Sequence, residues 1–124
     1  MMEGIKMDVK ILEKNKVDVK HGLELLGDMD FYNETIETFY KNIDKNIKDL
    51  KKFKEKKDFE NYGILSHSIK SDSKYLGFMD LAEIALSHEM AGKGSDEKFI
   101  EENFDSFMEE INRIVSVVKE YLGR

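Results

Sequence analysis

The sequence predicts an all-α protein, an antiparallel four-helix bundle with a short additional N-terminal helix. Apolar residues recur three or four positions apart through most of the chain, which is the spacing of one helix face. None of the 124 residues is proline, so nothing forces a helix to break. Capping residues and glycines separate the apolar stripes by short connections, and four helices joined in this way run up and down beside one another.

The first long helix is predicted from an apolar stripe with steps of three and four residues. Either Asp28 or Asp30 can cap its start, and the helix should end near Lys56. The stripe consists of Tyr32, Ile36, Phe39, Ile43, Ile47 and Leu50.

The second helix is predicted between Asp58 and Gly77. Asp58 is a good N-cap, and Gly77 accepts the left-handed conformation that commonly ends a helix. Its apolar side consists of Tyr62, Leu65, Ile69 and Leu76.

The last two helices are predicted on either side of a glycine pair. One runs from about Asp80 to Gly92 and Gly94, and the other begins with Ser95 as its cap. Their apolar positions are Leu81, Ile84, Ala85 and Met90 in the third helix and Phe104, Phe107, Ile111, Ile114, Val118 and Tyr121 in the fourth.

The domain boundary is predicted near residue 17. Residues 1–16 have weak periodicity and are expected to be a tail or a linker remnant, whereas residues 17–124 form the bundle domain. At the start of that domain, Asp18 can cap the short additional helix, which should end at Gly27.

The composition narrows the classes of function. The chain has 26 acidic and 20 basic side chains, which give a net charge of −6. This charge disfavours nucleic-acid binding, because such binding depends on contacts from lysine and arginine to phosphate. The absence of cysteine excludes disulfides, thiolate catalysis and cysteine metal sites. Without a run of about 18 apolar residues or a signal peptide, we expect a cytoplasmic protein that does not use the membrane.

One histidine is predicted to lie outside the core. On the second helix His67 lies opposite the apolar side, so we expect it to be exposed. Gly63, Lys70, Ser71 and Lys74 share its face, and small residues there would allow another protein to approach closely. A neutral imidazole is a good nucleophile near pH 7, and a lysine three residues later can neutralise phosphoryl oxygens. The alternative is an ordinary surface histidine beside ordinary surface lysines.

The segment from His67 to Gly77 resembles the signature of histidine-containing phosphotransfer (HPt) domains. That signature has a histidine, a lysine three positions later, small residues and a Leu-Gly pair, here Lys70 and Leu76-Gly77. The resemblance extends upstream over residues 18–39 and downstream over residues 81–93. Two positions depart from it: Ser71 replaces the usual glycine, and Asp72 replaces a small residue at what should be the edge of the core, where a buried carboxylate would need a partner.

The resemblance implies a phosphorelay intermediate, a phosphocarrier and not an enzyme. Such a domain takes a phosphoryl group from the aspartyl phosphate of a response-regulator receiver domain and passes it to a second receiver. Mg²⁺ and most catalytic groups belong to the receiver, so neither a cofactor nor a metal nor a nucleotide site is expected in this chain. A hybrid histidine kinase is a further candidate partner, and we expect a monomer.

The same resemblance implies roles for four side chains. His67 would be the phosphoacceptor through Nε2, and Lys70 would compensate phosphoryl charge. Glu89 occupies a polar position that can hydrogen-bond the other ring nitrogen, and Lys93 stands where a basic residue often lines the site.

Two other functions stay open. The chain could be an interaction module that binds a receiver or a partner helix without phosphoryl transfer, which a buried or covered His67 would favour. It could also bind nucleic acid through the six lysines of residues 48–57, although a solvated helix end, where cations favour the dipole, explains these as well. His88 is predicted to be a surface or interface residue.

Overall fold

Residues 7–124 are described by a computed structural model, and within them the chain forms six helices and no strand. The all-α prediction is therefore confirmed. The helices are α1 (Val9–Glu13), α2 (Val19–Leu26), α3 (Met29–Glu55), α4 (Phe59–Leu76), α5 (Met79–Lys93) and α6 (Glu97–Leu122).

Aspartate carboxylates begin most of the helices. Asp18, Asp28 and Asp58 each accept a hydrogen bond from the backbone N–H three residues later, as the sequence indicated. At α6 the predicted cap is wrong by one residue. Asp96 is the N-cap and binds the N–H of Phe99, because Ser95 lies in the turn with a φ of 50°. Glycines 77 and 123 end α4 and α6 in the left-handed conformation.

The core lies among the four long helices. Helix α4 packs most extensively on α5, and α3 contacts both α4 and α6, while α5 also packs on α6. The predicted stripes supply most of this core, with Tyr32, Ile36, Leu50, Tyr62, Ile69, Leu76, Leu81, Phe107 and Ile111 all buried. Met90 is an exception. It was predicted on the apolar side of α5, but it is 60% exposed because the buried side of α5 carries residues such as Ala85, His88 and Gly92.

The described part of the predicted tail is packed against the domain. Ile11 and Leu12 of α1 and the following Val17 are buried, and α1 contacts α6. The Met7 N–H also donates to the Tyr121 carbonyl at 2.7 Å. For residues 7–16 the tail interpretation is thus corrected, and residues 1–6 lie outside the described part. A helix of five residues is too short to display a periodic stripe, which explains why the pattern missed it.

The end of α4 is joined to the start of α2 by close backbone contact. The Asp18 N–H donates to the Gly77 carbonyl at 2.8 Å, and the Tyr32 hydroxyl donates to the Leu76 carbonyl at 2.7 Å. Both bonds satisfy carbonyls that the last turn of a helix leaves without a partner. The first bond holds the start of α2, and the second holds α3, against the end of α4.

None of the helices within residues 7–124 combines the length and the apolar composition needed to cross a membrane.

His88 is buried, so the prediction of a surface or interface residue is wrong. Its ring stacks on Phe107 with centroids 4.3 Å apart and meets Phe99 at 5.2 Å. Its Nδ1 lies 2.7 Å from the Tyr62 hydroxyl oxygen. Burial raises the pKa of Tyr62, so the hydroxyl stays protonated and donates a hydrogen bond to Nδ1 of His88. Because the Tyr62 hydroxyl gives Nδ1 of His88 a hydrogen-bond partner, a neutral imidazole can be buried in the core. Burial lowers the pKa of His88 to about 4, against an opposing hydrogen bond with the Asn103 backbone.

Because His88 is buried in its neutral form, we expect the folded protein to lose stability in mild acid. The unfolded chain binds this proton below a pH of about 6.5 and the folded protein only below about 4, so stability is full above 6.5 and falls as the pH drops towards 4. The loss due to His88 should be roughly 3 kcal/mol over this window. Urea unfolding of wild type and His88→Gln at several pH values measures it. The wild type should lose more stability than the variant, and equal pH slopes would contradict the assignment.

Candidate functional site around His67

His67 lies on the outward face of α4 with 54% of its side chain exposed. The buried positions Tyr62, Ile69 and Leu76 place the opposite face of the helix in the core. The ring is therefore accessible to a partner or a small molecule along its outer edge, as the helical spacing indicated.

The neighbour that positions the ring is Glu89 on α5. Its side chain is only 3% exposed, yet three groups converge on its carboxylate. Oε2 lies 3.0 Å from Nδ1 of His67 and 2.8 Å from the Lys93 ammonium, and Oε1 lies 2.9 Å from the Lys70 ammonium. Hydrogen bonds from Lys93 and then Lys70, with a smaller one from His67, lower the pKa of Glu89 to about 2 against the effect of burial.

The ionised carboxylate decides which ring nitrogen carries the proton. A carboxylate can only accept hydrogen bonds, so Nδ1 of a neutral His67 must be the donor. The lone pair is then on Nε2, on the side of the ring away from Glu89. This is the same orientation by a second residue that histidines acquire at metal sites.

The glycine at position 92 lets α5 come this close to α4. A Cβ on Gly92 would lie 2.6 Å from Cα and 2.7 Å from N of Gly63, so the two backbones are in direct contact. Gly63 is buried at this contact and also lines the open groove beside His67, so the role of its small size in the approach of another protein stays a prediction. Gly63 faces Gly92 across the internal helix contact that places Glu89 beside His67.

An open groove of about 610 Å³ runs along the outer edge of the imidazole. Lys93 and Glu89 line it from α5, and the exposed Ile64 lies on its rim. Its remaining lining comes from Glu60, Gly63, Ser68, Gly92 and Ser95. The groove thus combines a nucleophilic nitrogen with one ammonium group and a partly apolar wall.

The other predicted site residues, Lys70, Ser71 and Lys74, do not line this groove. Lys70 is only 16% exposed and lies behind the ring on Glu89, whereas Lys93 is 66% exposed. Lys74 is exposed and Ser71 half-buried on the His67 side of α4. Asp72 is exposed, so the expectation of a buried carboxylate that needs a partner is wrong.

The ion pairs of Glu89 with Lys70 and Lys93 were missed by sequence reasoning, whereas its contact with Nδ1 of His67 is the one that the resemblance implied. The four-residue spacing of Glu89 and Lys93 is the signal that could have shown one of its pairs. The pair of Glu89 with Lys70 joins α5 to α4, and no short-range spacing in the sequence indicates it.

The lysines of residues 48–57 are partly paired within the protein. The Lys54 Nζ atom lies 3.3 Å from Oε2 of Glu101, and the Lys57 Nζ atom lies 3.2 Å from Oε2 of Glu97. The two glutamates belong to α6. Acidic side chains of a neighbouring helix therefore offset part of the positive charge on which a nucleic-acid interface would depend.

No grouping of three or more histidine, aspartate or glutamate side chains that could hold a metal ion occurs in residues 7–124. Comparisons of the chain with protein-family models, with curated proteins and with solved structures found no match.

Proposed function

We propose that this chain is a phosphocarrier, a phosphorelay intermediate of the HPt type. Nε2 of His67 accepts a phosphoryl group from the aspartyl phosphate of a receiver domain, and the group then passes to a second receiver. The observation that carries the proposal is the pairing of an exposed imidazole with a buried, ionised carboxylate. Glu89 binds Nδ1 at 3.0 Å, which directs the Nε2 lone pair to the open groove.

The transfer balances with the groups available. The Nε2–P bond forms, the bond between phosphorus and the aspartyl oxygen breaks, and its electron pair remains on the receiver's carboxylate. The receiver supplies the Mg²⁺ that such chemistry requires. In this chain Lys93 on the groove and Lys70 behind the ring bring positive charge towards the phosphoryl oxygens, a contribution typical of phosphoryl-transfer sites.

The arrangement of helices supports the same interpretation. Each of α3, α4, α5 and α6 contacts two others, so that the four close into a ring. We interpret this ring as an antiparallel four-helix bundle with α1 and α2 packed on it, the architecture that the HPt resemblance implies. A single bundle of this kind would act as a monomer in the cytoplasm, where receivers and hybrid kinases are found.

The test is transfer from a panel of phosphorylated receivers with Mg²⁺, using His67→Gln as the matched variant. We expect acid-labile, base-stable label on the wild type and none on His67→Gln, because the variant lacks the nucleophilic nitrogen. The variant should keep the thermal stability of the wild type, since His67 is exposed and contributes little packing. Equal labelling of the two proteins would overturn the proposal.

A second candidate is an interaction module that binds without phosphoryl transfer. The exposed apolar side chains of Ile64, Leu86 and Met90 on α4 and α5 favour it. Binding of a receiver to wild type and His67→Gln alike, with no label on either, would select this alternative.

A further inference from the structure

The carboxylate beside His67 has a consequence for the phosphorylated protein. When Nε2 attacks phosphorus, Nδ1 still carries its proton, so the product ring is a phosphoimidazolium with a positive charge. The Oε2 atom of Glu89 lies 3.0 Å from that nitrogen and is buried from water. A negative charge at this distance stabilises the protonated ring more than the neutral one.

We propose that Glu89 keeps Nδ1 of phosphorylated His67 protonated and thereby extends to higher pH the range over which the phosphoryl group can leave. The inference rests on the phosphocarrier function. Glu89 acts here as a positioning residue, because it touches the ring through Nδ1 and not the reacting Nε2.

The proton matters because it decides the leaving group. If Nδ1 is protonated, cleavage of the Nε2–P bond returns the electron pair to Nε2 and releases a neutral imidazole. If Nδ1 has lost its proton, the same cleavage must release an imidazolate anion, which is a far poorer leaving group. The protonated fraction of the ring therefore controls the rate of release to water or to a receiver carboxylate.

The lysines around Glu89 differ in how they can respond. Lys93 shares Oε2 with the ring and is 66% exposed, so its ammonium can turn to the phosphoryl oxygens and leave Oε2 to Nδ1. Lys70 is only 16% exposed and contacts the other oxygen, Oε1, where it remains. The carboxylate is thus available to the ring at the time when the ring becomes positive.

Other charged groups lie on the sides of the two helices that carry the ring and the groove. Glu60, Lys70 and Lys74 belong to α4, and Glu89 and Lys93 belong to α5. Of these, Glu89 alone contacts Nδ1. Its removal should therefore change the titration of the phosphorylated ring more than the removal of any exposed carboxylate on the same helix.

The experiment uses phosphoramidate as the phosphoryl donor, so no partner protein is needed. Nε2 of His67 attacks its phosphorus, the P–N bond of the donor breaks and ammonia leaves. The ³¹P shift of the phosphohistidine is then followed against pH, together with its rate of hydrolysis. The proteins are wild type, Glu89→Gln, and Glu83→Gln as the control, which removes an exposed carboxylate from α5.

We expect the ring of the wild type and of Glu83→Gln to titrate about one pH unit or more above that of Glu89→Gln. Above both midpoints the wild type should hydrolyse roughly tenfold faster, in proportion to its protonated fraction. Coincident titration and rate curves for wild type and Glu89→Gln would overturn the inference. A loss of packing alone would not move the midpoint.

Two further outcomes are informative. If Glu89→Gln does not fold, phosphorylated wild type is titrated with and without concentrated urea, and a midpoint in urea that is not lower overturns the inference. If phosphoramidate leaves wild-type His67 unlabelled, the phosphocarrier function fails and this inference fails with it. Labelled wild type with coincident curves rejects the role of Glu89 only.

Discussion

Replacing Gly92 with alanine is expected to destabilise the protein by about 2 kcal/mol, although alanine is the better helix former. The added Cβ would lie 2.6 Å from Cα of Gly63 and 2.9 Å from the carbonyl oxygen of Phe59. Both neighbours are backbone atoms, which cannot turn aside as a flexible side chain could. Helix α5 must therefore move away from α4, and Glu89 moves away from His67 with it.

Urea unfolding measures the stability of Gly92→Ala, and the ¹⁵N shifts of the His67 ring report whether the proton remains on Nδ1. The matched control is Gly63→Ala, on the other side of the same contact. There a Cβ would lie 3.4 Å from the Glu89 carbonyl oxygen and from the Lys93 nitrogen, an ordinary contact distance. We expect Gly63→Ala to be as stable as the wild type or slightly more stable. Equal stability of the two variants would contradict the proposed backbone contact.

Gly77→Ala should be the more damaging substitution, with a loss of about 3 kcal/mol or more. Two costs combine at this position. The backbone has a φ of 82°, a left-handed conformation that side chains disfavour. A Cβ would also lie 2.1 Å from the carbonyl oxygen of Asp18, so the segment that begins α2 would have to move and its hydrogen bond to the Gly77 carbonyl would be lost.

Gly27→Ala separates these two costs. Gly27 also has a positive φ, of 98°, but a Cβ there would meet no atom within 4 Å. The stability lost in Gly27→Ala should therefore reflect the backbone conformation alone and amount to about 1–2 kcal/mol. Thermal and urea unfolding of both variants measure the difference. If Gly27→Ala were as destabilising as Gly77→Ala, contact with Asp18 would not explain the sensitivity of Gly77.

The predicted helices came from local features and agree well with the structure. The stripe from Tyr32 to Leu50 and the caps at Asp28 and Asp58 depend on residues a few positions apart, which the sequence displays directly. The exposure of His67 followed from the same spacing. Local reasoning failed for α1, which is too short for a stripe, and for His88, whose burial depends on a hydroxyl from another helix.

The sequence by itself determined the all-α class, the positions of the long helices and the outward direction of His67. These follow from helical periodicity and capping, which act over about four residues. Only the tertiary structure decided that Glu89 is buried and that it binds both Lys70 and Lys93; its contact with Nδ1 of His67 was expected from the HPt resemblance and not from any local pattern. His67 and Glu89 are 22 residues apart, and the contact of Gly63 with Gly92 joins their helices. Such a contact depends on the packing of two backbones, which no local pattern of residues specifies.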